Sequence, residues 1–198
     1  MGIILIFTSI TPVFAEEIQE ETPKIEELQA IADKYHVEVY EVEEQTESIE
    51  LSSVEEFEQL LAEMTSQGNN SIIDVEYPVS EVLLPQPRIS KTVTESFPKS
   101  TIWGIPVRLN CTIIFDYAVF QGIPRVSEIK HVSSNLPGVS FLRWTQEYYG
   151  ANVIEHTCLN VKVYGRYEAT ASIGGVTVGT KTDLLPYKLY ISAHKYFQ

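Results

Sequence analysis

From Trp103 to Phe115 every second residue is apolar: Trp103, Ile105, Val107, Leu109, Cys111, Ile113 and Phe115 share one parity. Period two marks a strand with one buried face, and the run is read as one long strand from Trp103 to Phe120. The same alternation returns at 124–132, at 139–145, from Cys158 to Ile173, at 176–182 and at 187–193. Leu136-Pro-Gly138 supplies a turn. Gly174-Gly175 supplies the two positive φ angles of a type I′ hairpin between two of the runs. Six or seven strands without a convincing helix predict an antiparallel sandwich of immunoglobulin-like size over residues 99–198. The Cys–Trp–Cys spacing of antibody domains is not present, because Trp144 stands only fourteen residues before Cys158.

The front of the chain changes period. After Thr22-Pro23, the residues Ile25, Leu28, Ile31 and Ala32 recur at helical spacing, and His36 to Val42 then alternates as a strand. Ser53-Val-Glu-Glu56 is a capping box that opens a helix with Val54, Phe57, Leu60, Leu61 and Met64 on one stripe. Residues 16–76 are therefore expected to form an acidic helix–strand–helix segment, a small α/β piece. Residues 77–98, with Pro78, Pro85, Pro87 and Pro98, form a linker or an edge strand. The fold class is α+β overall, with the β-sandwich at the C-terminal end.

Met1 to Ile10 is apolar and uncharged, and Thr11-Pro-Val-Phe-Ala15 places small residues at Val13 and Ala15 before Glu16. This order is that of a bacterial secretory signal peptide over residues 1–15, with cleavage after Ala15. The run falls short of the roughly 20 residues that span a bilayer, and no later window replaces it, so no transmembrane anchor is expected in the mature chain. No Lys or Arg precedes the run, so either a basic stretch lies upstream of Met1 or the segment is a weak signal. The expected location is secreted, extracellular or in the cell envelope.

Charge then divides the chain. The formal net charge of −13 belongs to the front third, since residues 16–76 hold 19 of the 27 acidic residues and only Lys24 and Lys34 among the cations. Such a segment is either a solvated arm or a piece that docks on the more basic rear. Its acidity, and the absence of clustered Arg behind it, argue against nucleic acid as a partner. The two cysteines, Cys111 and Cys158, read first as a disulfide in an exported protein, closing a loop of 47 residues. Against this stands the parity of Leu159, Val161 and Val163, which turns Cys158 away from the apolar face.

Candidate chemistry is sparse. His156-Thr-Cys158 places two ligand types on one strand face without a third, so no metal is assigned. No nucleophile elbow, zinc-protease helix, phosphate loop or dinucleotide fingerprint occurs. The carboxylates Asp116, Glu128, Glu147, Glu155 and Asp183 offer no pairing that would single out a glycosidase, so no catalytic residue or cofactor is assigned. The aromatic residues carry more. Tyr148, Tyr149, Tyr190 and Tyr196 are candidate stacking residues for a ligand, and Trp144 shares its parity with Leu142 and is expected to face inward. The sequence thus points to a non-enzymatic secreted protein whose sandwich binds a protein or a cell-surface polymer. A carbohydrate-binding module is the second reading, and a hydrolase with an unrecognised site the third.

Overall fold

A computed structural model of the chain describes residues 24–42, 47–67, 88–97, 100–192 and 196–197. The expected leader, residues 1–15, and the prolines Pro78, Pro85, Pro87 and Pro98 lie outside the described residues. Helix α1, Ile25–Ala32, buries Leu28 and Ala32, and a 3-10 turn at Asp33–Tyr35 ends at His36 in the left-handed region (φ 54°). Strand β1 is Val37–Glu41 and β2 is Ile49–Leu51. Helix α2, Val54–Ser66, buries Phe57, Leu60, Leu61 and Met64. Its start is capped twice: Ser53 Oγ accepts from the Glu56 N–H, and the Glu56 carboxylate accepts from the Ser52 N–H at 2.6 Å. The reach-back bond lands one residue before the cap, on the Ser52 N–H rather than on the N–H of the cap residue Ser53.

The remaining described elements are antiparallel strands. They are β3 (Ile89–Ser96), β4 (Ser100–Ile102), β5 (Ile105–Val107), β6 (Asn110–Phe120), β7 (Ile123–Asn135), β8 (Leu142–Ile154), β9 (Cys158–Ile173), β10 (Val176–Thr182) and β11 (Leu185–Ser192). The expected strand from Trp103 is broken. Trp103 and Gly104 both have positive φ and turn the chain between β4 and β5, and β6 begins only at Asn110. Alternation continues in phase across a two-residue turn, so periodicity alone does not reveal it. Gly174 and Gly175 do form the hairpin turn between β9 and β10, with φ of 56° and 85°.

Strand β9 is the spine. One edge carries β8, from Ile154 opposite Cys158 to Leu142 opposite Ala169, and β2 continues that edge in parallel against Ala171–Ile173. The other edge carries β11 opposite Cys158–Gly165 and β10 opposite Glu168–Ile173, with β1 outside β10. The front segment therefore lies in the same sheet as the rear strands. A second sheet, β3–β6–β7, faces it in a sandwich-like arrangement. The inward residues of β9, from Leu159 through Tyr167 to Ile173, share one core with Ile113, Phe115, Val126 and Val132 of the second sheet and with the buried stripe of α2. Among the described residues, no helix is long and apolar enough to cross a membrane.

Two local devices hold the spine. Trp144 is buried with its ring 5.1 Å from Tyr167 and 5.3 Å from Tyr187, edge-on to the latter, and the two tyrosine hydroxyls bond at 2.8 Å. Its indole N–H donates to Ser134 Oγ at 2.8 Å, so the only polar atom of the side chain is satisfied. The ring lies over Gly165, where a Cβ would stand 2.5 Å from the indole and 2.4 Å from the Thr145 carbonyl oxygen. At the far edge, the Gln29 side chain acts as a substitute peptide for β1. It accepts from the Val39 N–H at 2.9 Å and donates to the Val37 carbonyl at 3.4 Å, which blunts an edge open to pairing with another chain.

Because the Thr145 carbonyl belongs to paired backbone, Gly165→Ala forces the strands apart and overpacks the core. The expected cost is about 1–3 kcal/mol in urea unfolding at constant m-value. A change below about 0.5 kcal/mol would show that Trp144 is not seated on this glycine.

Candidate functional site

The outer face of β8, β9 and β11 gathers three of the aromatic rings into one patch. Even-numbered residues of β9 point away from the core, so Asn160, Lys162 and Tyr164 line the outer surface. Opposite them in register, β11 places Tyr190, Lys188 and Pro186, and β8 places Asn152, Gly150 and Tyr148. The three rows are an amide row ending in Tyr190, a lysine row opened by Gly150, and a ring row ending in Pro186. A Cβ added at Gly150 would meet no atom within 4 Å, so the lysine row is open on the β8 side.

Tyr148 reaches this face only because β8 is bulged. Leu142 and Trp144 face inward opposite Ala169 and Tyr167, then the register shifts between Gln146 and Tyr148, leaving Glu147 as the extra residue. One inserted residue reverses the parity of everything after it. Tyr148 thereby stands outward opposite Tyr164, the rings stacked at 4.5 Å with planes 19° apart. Tyr148 remains 52% exposed, the most exposed large hydrophobic side chain on the two strands.

The four predicted stacking residues separate. Tyr148 and Tyr190 belong to the outer face, Tyr190 half-buried. Tyr149 takes the inward parity opposite Val163 and sits at the rim of the sandwich, edge-on to His131 at 6.1 Å. Tyr196 lies on the other side of the molecule, 6.3 Å from the Phe115 ring, with its hydroxyl donating to Glu95 at 2.8 Å and its carbonyl accepting from Lys91. Burial and the Glu95 carboxylate push the Tyr196 phenol well up. Tyr196 thus fastens the end of the chain to β3. Tyr164 was missed as a candidate because strand alternation gives its side but not its cross-strand neighbour.

Charges on the outer face are mostly matched locally. Arg166 lies 3.5 Å from Glu147 and 3.8 Å from Asp183, and Lys181 lies 3.5 Å from Glu168. Lys162 differs: among the described residues no carboxylate oxygen comes within 4.0 Å of it, and its register neighbours are Gly150 and Lys188.

The expected disulfide is not formed. Cys111 and Cys158 are both buried and both free. Cys111 points into the core from β6, whereas Cys158 occupies the outward parity of β9 opposite Ser192 and Ile154, so the two side chains leave different sheets on unrelated faces. Burial pushes the Cys111 thiol up to about 12, which keeps it protonated and unreactive at neutral pH. His156 sits in the β8–β9 turn with positive φ, its Nδ1 3.1 Å from the Val126 carbonyl. Among the described residues, no three His, Cys, Asp or Glu side chains converge as metal ligands.

Two further polar features lie elsewhere. Asp116 is buried on β6, 2.7 Å from Lys130 and bonded by Ser90 Oγ. Lys130, and then Ser90, hold its carboxyl below the ordinary range. Lys130 reaches it because β7 is irregular beside Phe115 and Asp116, a feature hidden in an otherwise even alternation. A shallow depression of about 480 Å³ lies between Gln29, Asp33, His36, Val37, Glu38 and Asp183, open to solvent.

No family model, no curated protein and no solved structure matches this chain.

Two outcomes follow from these side chains. Thiol titration without reductant finds no reactive cysteine in the folded protein and two per chain after unfolding, and fewer than two would restore the disulfide. The lowered Asp116 carboxyl contributes stability that is complete above its ordinary value of about 3.9 and is lost as the pH falls through the lower folded value. Asp116→Asn therefore lowers the melting temperature at pH 7, and the gap to wild type closes toward pH 2. A gap independent of pH would contradict the ion pair.

Proposed function

We propose that this chain is an exported, non-enzymatic binding protein whose sandwich attaches to a partner or surface through the outer face of β8, β9 and β11. The observation that carries the reading is the stacked Tyr148–Tyr164 pair on the side of β9 that the core does not use. Core packing alone gives no reason to hold an aromatic ring half in water, whereas a rigid ring with few rotatable bonds is a low-entropy anchor for a partner. Export is supported by the leader-like pattern of residues 1–15.

A cell-wall or other carbohydrate polymer is the second reading, and the neighbouring rows favour it. A pyranose presents an apolar C–H face that packs on a ring, and hydroxyls at its rim that pair with amides. Tyr164 and Asn160 lie on one strand face, four residues apart, about 13 Å along β9. Rings and amides at that separation fit sugars two or three units apart along one extended polymer chain.

The whole chain is expected to be retained on isolated cell envelopes of the producing organism. Tyr148→Ala weakens that retention about five- to tenfold, a loss of about 1–1.4 kcal/mol, while Thr92→Ala on the second sheet leaves it unchanged. Equal retention of wild type and Tyr148→Ala, with both melting alike, would remove the face from the function.

A further inference from the structure

The last strand of a sheet presents a row of backbone groups without a neighbour, and this molecule covers two such rows with other groups. Gln29 stands in for a neighbour on β1. On β7, the Gln146 amide donates to the Val132 carbonyl at 3.2 Å, and the Val126 N–H donates to the His156 carbonyl at 2.7 Å. Strand β3, at the other end of the second sheet, has no such cover among the described residues. Its eight residues, Ile89–Ser96, contain no proline and pair with β6 without a bulge. A long, regular edge of that kind is a template for another strand.

One bond shows which groups the edge presents. The Phe97 N–H donates to the Leu109 carbonyl at 2.9 Å, continuing the register that pairs Ser96 with Asn110. Antiparallel pairs alternate between bonded and non-bonded. The odd-numbered residues of β3 therefore bond to β6, and the N–H and C=O groups of Ser90, Thr92, Thr94 and Ser96 point to the open side. Three of the four hydroxyls lean away from it, onto β6: Ser90 bonds Asp116, Thr94 bonds Thr112 at 3.0 Å, and Ser96 bonds Asn110 at 2.8 Å. Lys91, the one cation on the strand, turns to the Tyr196 carbonyl and does not guard the edge.

We propose that β3 pairs with β3 of a second copy of this chain, antiparallel across a two-fold axis at Val93, so that their second sheets join into one. The strand is close to palindromic in residue character. Around Val93 stand Thr92 and Thr94, then Lys91 and Glu95, then Ser90 and Ser96, then Ile89 and Phe97. A two-fold axis sets each residue opposite its mirror position in the other copy. Thr92 then exchanges both backbone bonds with Thr94 of the second copy, and Ser90 does so with Ser96, each twice over. Lys91 falls opposite Glu95, so no like charges meet. Both already hold Tyr196, so the pairing draws on the backbone and not on a free ion pair. Ile89, 48% exposed in the single chain, comes to lie beside Phe97 of the other copy. Moving the axis two places, to Lys91 or to Glu95, would set like charges against each other and shorten the ladder.

Sedimentation or light scattering of the full chain over a concentration series tests this. Wild type is expected to pass from monomer to dimer as its concentration rises. Thr92→Pro removes an N–H that faces the open edge and that β6 does not use. It should melt with wild type when dilute and weaken the dimer at least tenfold. Two charge designs at exposed outward positions then read the register. Thr92→Lys/Thr94→Lys sets lysine opposite lysine, whereas Thr92→Lys/Thr94→Glu sets lysine opposite glutamate. The first should dimerise about tenfold more weakly than the second. Repulsion between whole chains predicts the reverse order, since only the first design reduces the formal charge of −13. A wild type that stays monomeric up to about 1 mM overturns the proposal. So does a dimer that neither Thr92→Pro nor the charge designs alter, because another surface then forms it. Weakening by Thr92→Pro with equal association of the two charge designs overturns the Val93 axis and keeps the edge. If Thr92→Pro does not fold, the order of the two charge designs decides alone.

Discussion

The alternation of strand β9 is the constraint on which the structure depends. Sixteen residues run through the larger sheet with neighbours on both edges, so every backbone group along most of its length is paired and neither face can slip by one residue. That single register assigns two jobs. The inward set, from Leu159 to Ile173, is buried against the second sheet and the helices. The outward set is relieved of packing duty and carries amide, amine and ring side by side. Core and candidate ligand face are thus two readings of one strand, separated only by parity.

The neighbours of β9 refine this division. On β8 the bulge at Glu147 changes which residues serve which face, so Trp144 enters the core while Tyr148, an even number of positions later, turns outward. Were Glu147 paired in register with Tyr164, Tyr148 would stand opposite Val163 and point at the core beside Tyr187, and the outer stack would not exist. Gly165 and Gly150 act in the same sense at opposite faces. The first leaves room for the indole beneath, the second leaves the lysine row open above. A small number of positions without side chains therefore shapes both surfaces of the sheet.

Much of this was legible in the amino-acid sequence where period and caps are local properties. The helices at 25–32 and 54–66, the Ser53 cap, the glycine hairpin at 174–175 and the inward Trp144 all follow from spacing within a few residues. The outward parity of Cys158 was legible too, and it outweighed the pairing suggested by an even cysteine count. What was not legible depends on pairing between distant strands. The Trp103–Gly104 turn keeps the alternation in phase, the bulge on β8 leaves no compositional mark, and Tyr164 becomes a site residue only through its partner sixteen positions earlier. The parallel pairing of β2 with β9, which places the acidic front segment in the main sheet, likewise has no local signature.

The claim at the centre is that the outward side of β9 and its two neighbours forms the binding surface. Backbone amide shifts followed by NMR during titration with solubilised cell-envelope polymer test it residue by residue. The account predicts shifts concentrated at 148–152, 160–164 and 186–190, with β3, β6 and β7 unmoved. Shifts confined to the second sheet, or to the depression beside His36, would place the ligand elsewhere and contradict it.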